Sequence, residues 1–259
     1  MWIDIAALAL LVFCYAGAWF VVSLILKRND VADVAWGLGY ALICLYLVLK
    51  REPAETAWWV YALVTVWALR LSGHIFLRNR GKSEDFRYKQ WREEWGRWFY
   101  LRSFFQVYLL QGFFMLVIAA PVIAAGLAPP AGTGFWQGFA LGAGTLFWAV
   151  GMFFEAVGDH QLARFLKTRK HKDEVLQTGL WRYSRHPNYF GEIMVWWGLF
   201  FIVLPSPYGW MAVIGPLTIT WLLVFVSGVP MLEKRYEGNA AYQEYRKRTN
   251  APGKPAEKA

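Results

Sequence analysis

Between Gly179 and Glu192 the chain reads GLWRYSRHPNYFGE, which places Arg182, Tyr183, Arg185, His186, Asn188, Tyr189 and Glu192 in one short segment. The segment runs directly into an apolar stretch, Ile193–Leu204. A dense polar cluster at the mouth of a membrane helix is costly unless something binds there. Arginines and a histidine suit phosphate, because guanidinium forks donate paired hydrogen bonds to phosphate oxygens. Asn188 and Glu192 are four residues apart and share a helical face if the helix begins near Pro187. A basic flank that merely orients a membrane protein needs only Lys and Arg. It does not need a Tyr, a His, an Asn and a Glu.

Further ionisable groups interrupt apolar stretches: Asp33, then Arg70 and His74 four apart, then Glu155 and Asp159 four apart. Such residues are functional candidates by default. Asp33 and Arg70 fit either a structural ion pair or a catalytic role, and His74 fits an interfacial position equally well. Gln106 and Gln111 read as interhelical hydrogen-bonding residues. Glu155 and Asp159 on one helical face repel unless a cation, a proton or hydroxyl donors lie between them, and the paired hydroxyls of a ribose suit them. No His–His spacing supports a metal, and no metal site is expected. The segment Arg78–Tyr88, RNRGKSEDFRY, is a second dense motif. By composition alone it is a solvated loop of mixed charge.

The elements that must carry these residues are membrane helices. Of the 259 residues 57% are hydrophobic and 17% charged, against about 25% charged in an average soluble domain. Approximate spans are Ile3–Leu26, Val31–Leu49, Ala57–Leu77, Leu101–Leu127, Gly134–Val157, Tyr189–Leu204 and Gly209–Val229. The expected fold is an all-α integral membrane protein of seven transmembrane helices, a single domain over 1–250 whose cytoplasmic loops cap a cofactor cavity. Residues 134–250 carry most cofactor motifs. The basic residues fall on alternate loops and the tail, with only Lys50 and Arg51 on the opposite side. This puts the N-terminus outside and the C-terminus in the cytoplasm, and it accounts for the +9 net charge without nucleic acid. Pro230–Thr249 reads as an interfacial helix, and Ala251–Ala259 as a disordered tail. The first apolar run lacks the basic start of a cleavable signal peptide. There is no internal repeat and no G-x-G-x-x-G fingerprint. Cys14 and Cys44 lie in apolar stretches and read as small hydrophobes.

With these motifs in place, the chain resembles the steroid 5α-reductase family, in its bacterial branch. The resemblance runs from Asp33 to Thr249. It is carried by NRGKSEDFRY at Asn79–Tyr88, EAVGDHQLARF at Glu155–Phe165, GLWRYSRHPNYFGE, and EKRYEGNAAYQEYRKRT at Glu233–Thr249. It implies seven membrane helices, a bacterial inner-membrane location, NADPH bound from the cytoplasm, and reduction of the C=C bond of a 3-oxo-Δ4 steroid or similar lipophilic enone. It implies NADPH contacts at Asp159, Arg164, Tyr183, Asn188 and Glu192, within a cofactor-binding set that also takes in Arg80, Glu155, Arg182, Arg185, His186 and Tyr189. On the catalytic side it implies Asp33, to which we add Arg70 and His74. The animal enzymes place a tyrosine on the third helix. That position here falls near Trp67–Ala68, which leaves His74 or Tyr40 as the donor. The run Arg185-His186-Pro187-Asn188-Tyr189 with Gly191 is also similar to isoprenylcysteine carboxyl methyltransferases, which bind S-adenosylmethionine, and the NADPH-dependent sterol C14 and C7 reductases form a third related group. The alternative expectation is therefore an integral-membrane methyltransferase acting on a lipid. Expected partners are membrane lipid and a lipophilic small molecule.

Overall fold

Backbone polar groups in a bilayer have no water to turn to, so spanning segments satisfy them internally as helices. Each apolar stretch of this chain does so. The structure, a computed structural model, describes residues 5–50, 52–127, 134–171, 173–207 and 209–256. Its helical runs are α1 (Ile5–Leu26), α2 (Val31–Lys50), α3 (Glu55–Asn79), α4 (Phe86–Ile118), α5 (Ala120–Leu127), α6 (Phe135–Thr168), α7 (Pro187–Val203), α8 (Gly209–Arg235) and α9 (Ala240–Arg248). Among the described residues the only β-pairing is two isolated bridges, Ser184 with Asn250 and Ala251 with Lys254.

Six of these helices are long and apolar enough to cross a membrane: α1, α2, α3, α4, α6 and α8. The expectation of seven is not met. The missing span is α7, whose 17 residues reach about 26 Å, short of a hydrocarbon core of about 30 Å. The fourth expected span, Leu101–Leu127, is also redrawn. Helical structure begins earlier, at Phe86, and breaks at Ala119, so that α5 is a separate short helix. Arg51 and the basic-free loop at Ala128–Thr133 lie outside the described residues.

The chain divides into two units, Met1–Gly132 with Ser206–Ala212, and Thr133–Pro205 with Val213–Ala259. In the first unit α2 and α3 pack closely. The Ser72 hydroxyl of α3 donates to the Val34 carbonyl of α2 at 2.8 Å. Tyr40 sits edge-on between Trp36 and Trp67 and is fully buried. Within α4 the segment Ser103–Leu109 is π-helical, and the Asn29 side-chain amide donates to the Ser103 hydroxyl at 2.7 Å. Gly96, with φ +48°, is the corner at which the polar first part of α4 gives way to its apolar part. A left-handed φ of this kind is one that only glycine adopts without strain.

The second unit is built on an antiparallel pair, α6 and α7, held backbone to backbone. Gly144, Gly151 and Gly158 recur every seventh residue on α6, and Gly191 and Gly198 are seven apart on α7. A Cβ added to Gly151 would lie 2.6 Å from the Gly191 carbonyl oxygen, and one on Gly191 would lie 2.5 Å from that of Gly151. Gly144 and Gly198 block each other in the same way at 2.6 Å. Helices in lipid associate by such packing of small residues, because burying apolar surface gains nothing there. Of the tail expected to be disordered, residues 251–256 carry backbone contacts, and 257–259 lie outside the described residues. Ala251 and Lys254 exchange backbone hydrogen bonds at 2.8 and 3.0 Å, and the Arg185 N–H donates to the Asn250 carbonyl at 2.7 Å.

Replacing Gly151 or Gly198 by Ala forces the two backbones apart and is expected to destabilise the protein by about 1–3 kcal/mol. Gly142 on α6 meets nothing within 4 Å, and the same change there should be neutral or stabilising by up to about 1 kcal/mol through helix propensity. Thermal melting of the three variants in one detergent distinguishes them. Equal behaviour would remove the glycine contact as the basis of the pairing.

Candidate functional site

In the second unit, the α6–α7 register determines which polar groups face each other. The Asn188 amide nitrogen donates to Asp159 Oδ1 at 3.1 Å. Glu155 is one helical turn before Asp159, and Glu192 one turn after Asn188. The antiparallel register therefore sets Glu155 level with Glu192, as the close approach of Gly191 to the Glu155 backbone requires. Glu155, Asp159 and Glu192 are 2%, 9% and 9% exposed, so three carboxylates are buried in one groove. Among the described residues no group of three His, Cys, Asp or Glu side chains is arranged to hold a metal ion. One atom of the groove stands out: Asn188 Oδ1 is buried and accepts no hydrogen bond among the described residues.

The loop before α7 is held by its neighbours. The Leu180 N–H donates to Gln161 Oε1 at 3.0 Å, and the Trp181 indole donates to the Gly158 carbonyl at 3.1 Å. The Tyr245 hydroxyl of α9 donates to the Trp181 carbonyl. Arg185 is turned inward and is 2% exposed. Its Nη1 donates to the Arg246 carbonyl at 3.0 Å, and its Nε lies 3.1 Å from Glu233 Oε1. His186, 3% exposed, points its Nε2 at the same oxygen from 3.6 Å and stacks on Tyr189 with ring centroids 5.4 Å apart. Burial pushes the His186 imidazole below its ordinary pKa, and the hydrogen-bonding and charge of Glu233 only partly offset that. Arg164, Arg182 and Tyr183 are exposed. Of the three arginines expected near a phosphate, Arg185 is therefore committed to the protein's own groups, while Arg164 and Arg182 face outward.

In the first unit, the Arg78–Tyr88 motif is not a loosely solvated loop. It folds onto the turn that joins α1 to α2. Asp33 Oδ2 takes the Arg87 guanidinium at 2.6 Å, and Oδ1 takes the Tyr88 hydroxyl at 2.7 Å. Asp85 caps the start of α4 by accepting from the Arg87 N–H at 3.0 Å. Burial alone would raise the Asp85 pKa, but the charge and hydrogen bonds of Arg87 hold it below the ordinary carboxylate value. Asp30, 2% exposed, takes a two-point contact from Arg28 at 2.7 and 2.6 Å. It also accepts the Asp85 N–H at 3.2 Å. Glu84 accepts the Asn29 N–H at 2.6 Å and Arg92 at 3.0 Å. The guanidinium on Asp33 is thus that of Arg87. Arg70 and His74 lie one turn apart on α3, both half-buried, and Arg80 at its end is exposed. Gln111 lines a narrow aromatic crevice with Tyr15, Trp19, Trp36 and Tyr108. Gln106 is exposed, so it does not bridge helices as expected.

Residues 19–249 match the model of the family described as Protein of unknown function (DUF1295). The chain belongs to this family. It is also 28% identical over 214 residues to an uncharacterized protein of Schizosaccharomyces pombe, an alignment covering 72% of this chain and 61% of that protein. The chain thus spans less than two thirds of the length of this relative. No solved structure matches it. Both polar networks fall inside the family match.

Several residues of these networks had no individual signal in the sequence. Asn29 and Asp30 read as part of a short loop, although a polar pair squeezed between two spans is itself a sign of burial. Glu84, Arg87 and Tyr88 lay inside a motif whose composition looked solvated. Glu233, Tyr242 and Tyr245 lay in a stretch read as interfacial, yet they are 6%, 5% and 2% exposed.

Two measurements follow. Asp33→Asn removes one of the two carboxylates that Arg87 bridges and is expected to cost about 1–3 kcal/mol, the range for a hydrogen bond to a charged group. Adding Arg87→Gln should cost less than the sum of the two single changes, since they share one interaction. Strict additivity in a double-mutant cycle would show that the pair is not coupled. For His186 the folded-state pKa is depressed, so the unfolded chain takes up a proton first as the pH falls. Stability is then complete above about pH 6.5 and is lost as the pH drops below it. Melting temperatures from pH 7.5 to 5.5 should fall for the parent and fall less for His186→Gln. Parallel curves would exclude His186 as the titrating group.

Proposed function

We propose that the protein is an NADPH-dependent reductase of the C=C bond of a 3-oxo-Δ4 steroid or similar lipophilic enone. The observation that carries the reading is Asn188. Its amide nitrogen is fixed by Asp159, so its buried Oδ1 is aimed and waits for a donor. A buried acceptor left unsatisfied costs about 1–3 kcal/mol, which a ligand hydroxyl or carboxamide N–H would recover. Asp159, Glu155 and Glu192 supply further acceptors for the ribose hydroxyls, and the exposed Arg164 and Arg182 suit the phosphates.

NADPH, when bound, supplies the hydride. The protein's own groups must hold it, keep water away and polarise the enone carbonyl, because an isolated alkene does not accept hydride. Donors aimed at that oxygen stabilise the enolate as it develops. Asp33 then acts as a positioning residue, since its carboxylate is engaged by Arg87 and Tyr88. The basic side of the helices is read as cytoplasmic, with seven membrane-embedded helices if the short α7 is counted.

Methyl transfer from S-adenosylmethionine is the second reading, carried by the run Arg185-His186-Pro187-Asn188-Tyr189 with Gly191. Within that run Arg185 and His186 are turned onto Glu233 as scaffold. Asn188 and Glu192, which carry the reductase resemblance, line the groove.

Asn188→Ala and Glu192→Ala should each weaken NADPH binding by about 1–3 kcal/mol. With NADPH deuterated at the hydride position, the label should appear on the β-carbon of the reduced enone. Unchanged NADPH affinity in both variants would remove the groove from the proposal. Binding of S-adenosylmethionine with methylation of a lipid, and no label transfer, would replace the reductase reading by the second one.

A further inference from the structure

Exposed charges lie on both sides of Gly96 in α4. Before it lie Glu93 and Glu94, both exposed, and after it lie Arg97 and Arg102, both exposed. The other arginines of this stretch are occupied: Arg87 by Asp33 and Asp85, and Arg92 by Glu84. Arg97 and Arg102 have no carboxylate partner among the described residues, and each lies over a tryptophan. The Arg97 guanidinium is 5.2 Å from the Trp98 ring centroid, and that of Arg102 is 5.9 Å from Trp95. Stacking of this kind fixes a guanidinium without consuming its hydrogen-bond donors.

The surroundings fit a membrane surface. Trp98, Tyr100 and Leu101 are 51%, 53% and 52% exposed, beside the two arginines. The backbone passes here from a charged amphipathic helix into the apolar part of α4, so this corner lies at headgroup depth. Tryptophan and tyrosine favour that depth, with the ring in the interface and the polar edge toward water. On the inner side Phe99 is 2% exposed, and Trp95 stacks on Trp91 with centroids 5.2 Å apart, so the corner is anchored from within. The result is two guanidiniums without carboxylate partners among the described residues, each set on an indole beside an exposed aromatic surface.

We propose that Arg97 and Arg102, on Trp98 and Trp95, form a seat for the phosphate of an anionic membrane phospholipid. A zwitterionic lipid offers the same phosphate but carries a cationic group beside it, which the two arginines repel. The seat therefore discriminates by headgroup charge, and it does so independently of the reaction proposed above.

The test uses the purified full-length protein in detergent, with phosphatidylglycerol or phosphatidylcholine added and lipid adducts read by native mass spectrometry. The parent should retain phosphatidylglycerol with roughly a tenfold preference, as two arginines near a surface phosphate imply. Arg97→Gln/Arg102→Gln should abolish the preference, and Trp98→Ala should reduce it. Lys82→Gln/Lys89→Gln removes the same charge from two exposed lysines on the other side of Gly96 and should leave it intact. A preference that survives in the double-arginine variant overturns the proposal. So does one lost equally in the lysine variant, since charge alone would then explain it. If the double-arginine variant folds poorly, Arg102→Gln alone must show a partial loss, and an unchanged preference there counts against the seat.

Discussion

The α6–α7 pair has no side chain between its two backbones at Gly144, Gly151, Gly191 and Gly198, and the geometry of the second unit depends on that absence. With the helices this close, the register is fixed to within one residue. A slip along the axis would drive Trp148 or Val195 into a gap that admits only hydrogen, since the built contacts already reach Trp148 and Val195 backbone atoms at 2.6 and 2.7 Å. The same register brings Asn188 to Asp159 and sets Glu192 level with Glu155. Buried carboxylates are tolerated only while their partners stay in place, which a rigid framework ensures. The glycines provide that rigidity without contributing any chemistry of their own.

The first unit solves a similar problem by a different route. Its polar residues are held by charge rather than by close backbones. Asp30 and Asp33 are presented by the α1–α2 turn and the first turn of α2, and both are met by groups from the 78–92 region. Paired charges of this sort contribute little net stability, because desolvation offsets much of the attraction. Their value is specificity. Arg87 bridges Asp33 and Asp85 and so fixes the entry of α4 relative to α2.

The helices were legible because membrane spans announce themselves by length and apolarity, and the candidate groove because carboxylates in such stretches are conspicuous. Two features were not legible. One was the role of the Arg78–Tyr88 motif. Its mixed charge looks the same whether it faces water or its opposite charges elsewhere, and only the fold brings Asp30 and Asp33 to it. The other was the count of spans. The expected extent of α7, Tyr189–Leu204, already fell short of the roughly 20 residues a crossing needs, and the helix that forms, Pro187–Val203, is of similar length. Counting it as a span rested on its apolarity, which a buried helix shares with a membrane-crossing one.

The contacts of Arg185–Glu192 fall into two sets. Arg185 and His186 face Glu233, and Arg185 also holds the Arg246 carbonyl and, through its N–H, Asn250. These contacts tie the loop before α7 to the C-terminal segment. They would be needed whatever occupied the groove, because they fix where α7 starts. Pro187 then begins the helix with its φ already set. Asn188 and Glu192 come one and five residues later, on the face turned to α6. A change in the ligand needs to alter only that second half. The first half of the motif therefore reports the scaffold, and the second half, on the proposed reading, reports the ligand. It follows that a functional assignment for this chain should rest on Asn188 with its partner Asp159, and on Glu192, rather than on the arginine and histidine that first draw attention in the sequence.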